Sequence, residues 1–175
     1  MSSQITATQK IRGSVGRRAA LLADRIEEGA ALLAAFVEGL SEEEWCAPVS
    51  ATDRRSVGLI VHHVASMYPI EIDVARAIAS GKAVTDVTWD AVAKLNAKHA
   101  HEHAAETKAT ALELLRRHSL EAANAVRAFT DEEVDCAAAF SLSFGAPVTA
   151  QFVIEDHALR HSWHHLARIR IALGR

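Results

Sequence analysis

Thr149 to Leu173 reads TAQFVIEDHALRHSWHHLARIRIAL, and the spacing of its apolar residues decides what kind of fold the chain adopts. Residues on an α-helix advance about 100° each. With His161 set at zero, Ile154, Ala158, Leu159, Trp163, Leu166 and Ile169 fall along one arc. His165 joins that arc, about 40° round and one turn on. His157, His164 and Arg168 lie on the other side of His161, toward the polar rim. Thr149 suits the N-cap, because a hydroxyl there accepts from a free backbone N–H of the first turn. The stretch is an amphipathic helix whose inward face carries His161 and His165.

The same period recurs upstream. Val15 to Leu40 places Leu21, Leu22, Ile26, Leu32, Leu33, Phe36 and Val37 at helical spacing and stops near Gly39. Ser41 with Glu44 is a capping-box pattern for a short helical turn, which Pro48 ends. Ser50 to Arg55 is a polar loop. Ser56 caps a second long helix that runs to about Ser80, with Gly81 as its stop signal and a kink expected at Pro69. Thr88 and Asp90 open a third segment to about Ala105, and a further stretch from about Thr110 to Phe129 follows with little or no break, as one bent helix or two. Thr130 to Pro147 reads as a loop.

Composition agrees with helix nearly throughout. Of 175 residues, 50% are hydrophobic, Ala dominates, and Gly (8) and Pro (3) are scarce, which favours the best helix former over the two helix breakers. Four long amphipathic helices with short connections predict an all-α four-helix bundle, a single domain over residues 1–175. A bundle that completes its core by dimerising is the alternative.

The formal net charge is -3 and no block of Lys or Arg stands out, which argues against a nucleic-acid partner. No run of about 18 apolar residues exists, so no membrane span is expected. Met1 to Gly16 is polar without an apolar core, unlike a secretory signal. Cys46 and Cys136 are far apart and in no metal or redox spacing, as in a reducing compartment. The expectation is a cytoplasmic protein.

Histidine is the unusual count: ten, with four between His157 and His165 and three between His99 and His103. On the second helix Leu59, Ile60, Met67, Ile70 and Val74 lie within about 60° of His63. His63 therefore sits mid-stripe on the apolar face, where an imidazole needs a partner. His62 is about 100° away, toward the polar side. A neutral core histidine bonded to a local acceptor would explain His63 alone. The pair His161 and His165, one turn apart, changes the balance, because two imidazoles then meet at one point of a helix face. A third from a facing helix makes a three-nitrogen metal site with an open position, as in catalytic zinc centres. His99 and His103 share a face with Val92, Leu95 and Glu106, while His101 points away. A solvated or half-buried surface is the reading there, with a supporting role open for His103. No separate general base stands out; Glu71 and His103 are the candidates.

The segment Ser56-Val57-Gly58-Leu59-Ile60-Val61-His62-His63-Val64-Ala65 resembles the helix-two motif of DinB-like proteins, with His63 at the motif's histidine. His161-Ser162-Trp163-His164-His165-Leu166-Ala167-Arg168-Ile169 resembles their final-helix motif, with His161 and His165 at the ligand pair and Arg168 where the family commonly has Gln. Leu40 to Trp45 and Asp90 to Asn96 also look like the mycothiol-dependent maleylpyruvate isomerase branch, in which one ligand is typically Glu where this chain has His161. The resemblance implies an up-down-down-up four-helix bundle, one zinc, nickel or iron ion on His63, His161 and His165, and a homodimer. For some members it implies a low-molecular-weight thiol as co-substrate. The resulting expectation is a metal-dependent thiol transferase or isomerase acting on a small molecule. A non-catalytic metal-binding or stress-related module is the alternative, and a helical interaction protein without metal is a third reading.

Overall fold

The computed structural model describes residues 16–175. The reading of Met1 to Val15, including the start of the first helix, lies outside them. The elements in chain order are α1 (Arg17–Glu38), α2 (Glu42–Cys46), α3 (Val57–Ala79), α4 (Trp89–Glu102), α5 (Lys108–Arg127) and α6 (Asp131–Asp135), then strands β1 (Ala137–Ala139) and β2 (Pro147–Thr149), then α7 (Ala150–Val153), a π-helical segment (Ile154–Leu159) and α8 (Arg160–Leu173). The π segment joins α7 and α8 into one continuous final helix. Among the described residues no helix is long and apolar enough to cross a membrane.

Hydroxyl caps set the starts. Ser41, Ser56, Thr88, Thr107, Thr130 and Thr149 each accept from a backbone N–H of the turn that follows, which satisfies a donor the helix leaves free. Thr107 divides the third segment into two helices, α4 and α5.

Long-range pairs give the directions. Arg127 of α5 reaches Asp24 and Glu27 near the start of α1, and Arg116 reaches Glu38 at its end, so α1 and α5 are antiparallel. The final helix runs with α1: Trp163 donates to the Arg25 carbonyl, and Arg170 lies over Phe36. It runs against α3, since Tyr68 meets Ser162 while Glu71 meets His161. It follows that α3 and α5 are parallel. This is the up-down-down-up four-helix bundle, built from α1, α3, α5 and the final helix. The parallel α3–α5 step needs a long crossover, and the segment containing α4 supplies it.

Two close approaches lock the helices. A Cβ on Gly58 would lie 2.4 Å from the Trp45 ring, and one on Gly29 would lie 2.5 Å from Trp163 Nε1. Only glycine lets these two buried or half-buried indoles rest on helix backbone. α3 runs unbroken through Pro69. Proline has no N–H for the Ala65 carbonyl four residues back, and His118 Nδ1 takes that acceptor at 2.9 Å.

The Thr130–Pro147 stretch is not a plain loop. Thr130 and Glu133 form a capping box at the start of α6, and β1 pairs antiparallel with β2 from Ala137–Thr149 to Ala139–Pro147. The Val84 N–H donates to the Ala139 carbonyl, and the Ser141 N–H donates to the Val84 carbonyl, tying the α3–α4 connection to this hairpin.

Candidate metal centre

His63 lies in the second turn of α3, which begins at the Ser56 cap and is pressed against Trp45 at Gly58. His161 and His165 lie one turn apart on α8. Their approach depends on the π segment just before them. From Ala150 the buried positions step by four through Ile154 and Ala158 to Ser162. In an α-helix such a step drifts by about 40° each time; the wider π turn takes up the drift and keeps the face on the core.

One ring nitrogen from each of His63, His161 and His165 lies within 4.8 Å of the others. The ring centroids are 5.0 to 5.8 Å apart, and His63 stands edge-on to both α8 rings. His63 and His165 are buried and His161 is half-buried. Burial pushes the His63 imidazole down to about 3 and that of His165 down to about 2, with the neighbouring His161 adding to both shifts. Both rings are therefore neutral at physiological pH, the form a metal ligand requires.

Glu71, two turns beyond His63 on α3, accepts from His161 Nδ1 at 2.7 Å. That bond fixes the tautomer and leaves the His161 Nε2 lone pair free, the arrangement that supports ligating histidines. His165 Nδ1 is buried without a hydrogen-bond partner, a costly state for an imidazole nitrogen. Neutral imidazoles suit borderline divalent cations. The donor set, the oriented His161 and the unpartnered nitrogen all fit a divalent ion. Among the described residues no fourth His, Cys, Asp or Glu joins the group.

Two cavities meet at this trio. One, of about 370 Å³, is walled by Met67, Ile70, Val74, Val92, Leu95 and Phe140, with His63 and His161 at its edge. The other, of about 240 Å³, is polar and lined by Asp156, Arg160 and His164 beside His161 and His165. Glu71 and His157 border both.

Two expectations need correction. His62 does not face the polar side: it is buried, and its ring meets α4. His99 is fully buried rather than solvated or half-buried, while His103 is half-buried and His101 points away and is exposed, as expected. Glu71, a candidate base, has one oxygen bonded to His161 and the other buried without a partner. Helix spacing placed Glu71 on the correct side of α3 but could not name its partner on another helix. Arg168, at the family's Gln position, pairs with Asp53 in the α2–α3 loop. Together with Arg55, whose guanidinium is the larger influence, it holds that carboxyl well below the usual carboxylate range.

No curated protein matches the sequence. Among solved structures, the chain is similar to YfiT from Bacillus subtilis, described as a probable metal-dependent hydrolase with an unusual four-helix bundle topology. The TM-score is 0.69 at 17% identity, covering 98% of this chain and 91% of YfiT; the likeness concerns the fold. A family model for the DinB superfamily matches residues 25–169, a span that takes in the bundle and all three histidines. This chain belongs to the DinB superfamily.

Proposed function

We propose that this protein is a metal-dependent enzyme in which His63, His161 and His165 hold one divalent ion, zinc, nickel or iron, and that it joins a low-molecular-weight thiol to a small apolar electrophile as a transferase or isomerase. The observation that carries this reading is the meeting of an apolar and a polar cavity at three convergent imidazoles. An ion held there by His63, His161 and His165 would supply acidity, lowering toward neutrality the pH at which a thiol or water beside it ionises.

The chain's own residues have separate tasks. Glu71 is a positioning residue that holds His161 by Nδ1. Met67, Ile70, Val74, Val92 and Leu95 give the electrophile's side an apolar wall, and a volume of about 370 Å³ suits a small ligand. Arg160 and His164 offer polar groups to the charged or hydroxylated part of a thiol. The resemblance to the mycothiol-dependent branch favours the same pairing of substrates. The reading takes the protein as a cytoplasmic homodimer, and sedimentation of the full chain tests the dimer.

A hydrolase is the second reading. It draws on the description of YfiT and on the buried, unpartnered Oε2 of Glu71, which could accept a proton. A non-catalytic structural ion has less support, since such sites close with a fourth protein ligand.

Cobalt-loaded, tag-free protein tests the proposal. A small cellular thiol should add a near-ultraviolet thiolate-to-cobalt band, and His161→Ala should abolish it. A cobalt spectrum indifferent to every thiol, with hydrolysis of ester or amide substrates that requires the ion, would make the hydrolase reading the correct one.

A further inference from the structure

The trio above uses three of ten histidines, and a second trio stands beside it. His62 of α3 meets His99 and His103, one turn apart at the end of α4 and its C-cap. His62 Nδ1 and His99 Nε2 are 2.9 Å apart. The ring centroids are 5.0 Å apart for His62 and His99, 4.2 Å for His62 and His103, and 4.8 Å for His99 and His103. One ring nitrogen of each lies within 4.8 Å of the other two. His62 and His99 are buried.

A carboxylate again stands behind one ring. Glu106 Oε1 accepts from His103 Nδ1 at 2.9 Å, as Glu71 does from His161. The bond directs the other nitrogen of His103 away from Glu106, and it is the pairing found behind metal-ligating histidines. Packing gives little reason for imidazoles here. Among α4 residues only His99 is buried, so the end of this helix is fastened to the bundle through histidine rather than through an apolar face.

We propose that His62, His99 and His103 form a second site for a divalent cation, oriented by Glu106. Three imidazole nitrogens select a borderline ion of the zinc, nickel or cobalt type over magnesium or calcium. The two sites adjoin, because the His99 ring lies edge-on to His63 with centroids 5.5 Å apart. An ion on the second trio pins α4, whose Trp89, Val92 and Leu95 wall the apolar cavity. The site does not require the first to be filled.

Metal-stripped full-length protein, saturated with cobalt and then dialysed, tests this. Two ions per chain are expected. His103→Ala and His161→Ala should each lower the count to one, and His101→Ala, an exposed neighbour, should leave it at two. Crystals of the unaltered chain grown with zinc should give an anomalous peak among His62, His99 and His103, a measurement that does not depend on any variant folding. A single ion that His161→Ala removes and His103→Ala leaves, with no such peak, would overturn the second site and spare the first. A single ion with the reverse dependence would uphold the second site and overturn the first, and no ion at all would overturn both.

Discussion

The two histidine trios share a plan and differ in their support. Each takes one ring from α3 and two from a pair one turn apart on a neighbouring helix, and each has one of that pair backed by a carboxylate. The first pair rides on α8, where Ser162, Leu166 and Ile169 are buried in the bundle. The second rides on α4, a peripheral helix. In the first trio the rings stand apart and largely edge-on. In the second they are closer and partly stacked, and two bond each other directly. A histidine pair at helical spacing is thus not one kind of site. The α8 pair faces its α3 ring with no direct bond among the three, whereas on peripheral α4 one of the pair, His99, bonds the α3 ring of His62 directly.

The largest expected effect separates the trios by ligand removal. His165→Ala should weaken the ion on the first centre by more than about a hundredfold, given that losing a mere supporting residue already costs about 10- to 100-fold. His103→Ala should change that same affinity by less than about tenfold, on the same scale. Chelator competition measures both. Equal losses would mean that the two adjoining trios act as one centre.

Supporting carboxylates come next. Glu71→Gln should reduce affinity at the first centre by about 10- to 100-fold while leaving the fold intact. No change in chelator competition would show that packing alone orients His161.

Acid gives an intermediate effect. His63 and His165 are held at about 3 and about 2, and His99 at about 4, chiefly by burial. Their folded values lie below the unfolded value of about 6.5. The unfolded chain then binds more protons than the folded one, so stability rises with pH in this window. It is complete above about pH 6.5 and is lost as pH falls toward about 3, without any metal. Melting of chelator-treated protein should show this, and His165→Ala should flatten the decline more than His99→Ala, since His165 is shifted further. A melting temperature constant from pH 7 to pH 5 would contradict the neutral burial of these rings.

The smallest effect concerns the clamp beneath the first trio. Tyr68 and Ser162, both fully buried, share a 2.7 Å hydrogen bond between α3 and α8. Tyr68→Phe leaves the Ser162 hydroxyl without its partner and should cost about 1–3 kcal/mol, read from denaturant unfolding. The cobalt spectrum of the first centre should broaden while that of the second stays unchanged.

Helix starts, the bundle class and the inward faces of His63, His161 and His165 were set by residues near one another in the chain. Caps act within one turn, and a 3.6-residue period marks the core side of any helix that has a solvent side. Even the missed helix α6 was written locally, in Thr130 and Glu133. The burial of His62 was not. Val57 to Ala65 are all buried, because this end of α3 is covered by α2, α4, α5 and the final helix, and a helix enclosed all round has no polar face for a period to reveal. The pairing of Glu71 with His161, that of His103 with His62, and the two cavities join residues tens of positions apart. Those relations depend on the up-down-down-up path, which alone decides which side chains from separate helices share a few ångströms.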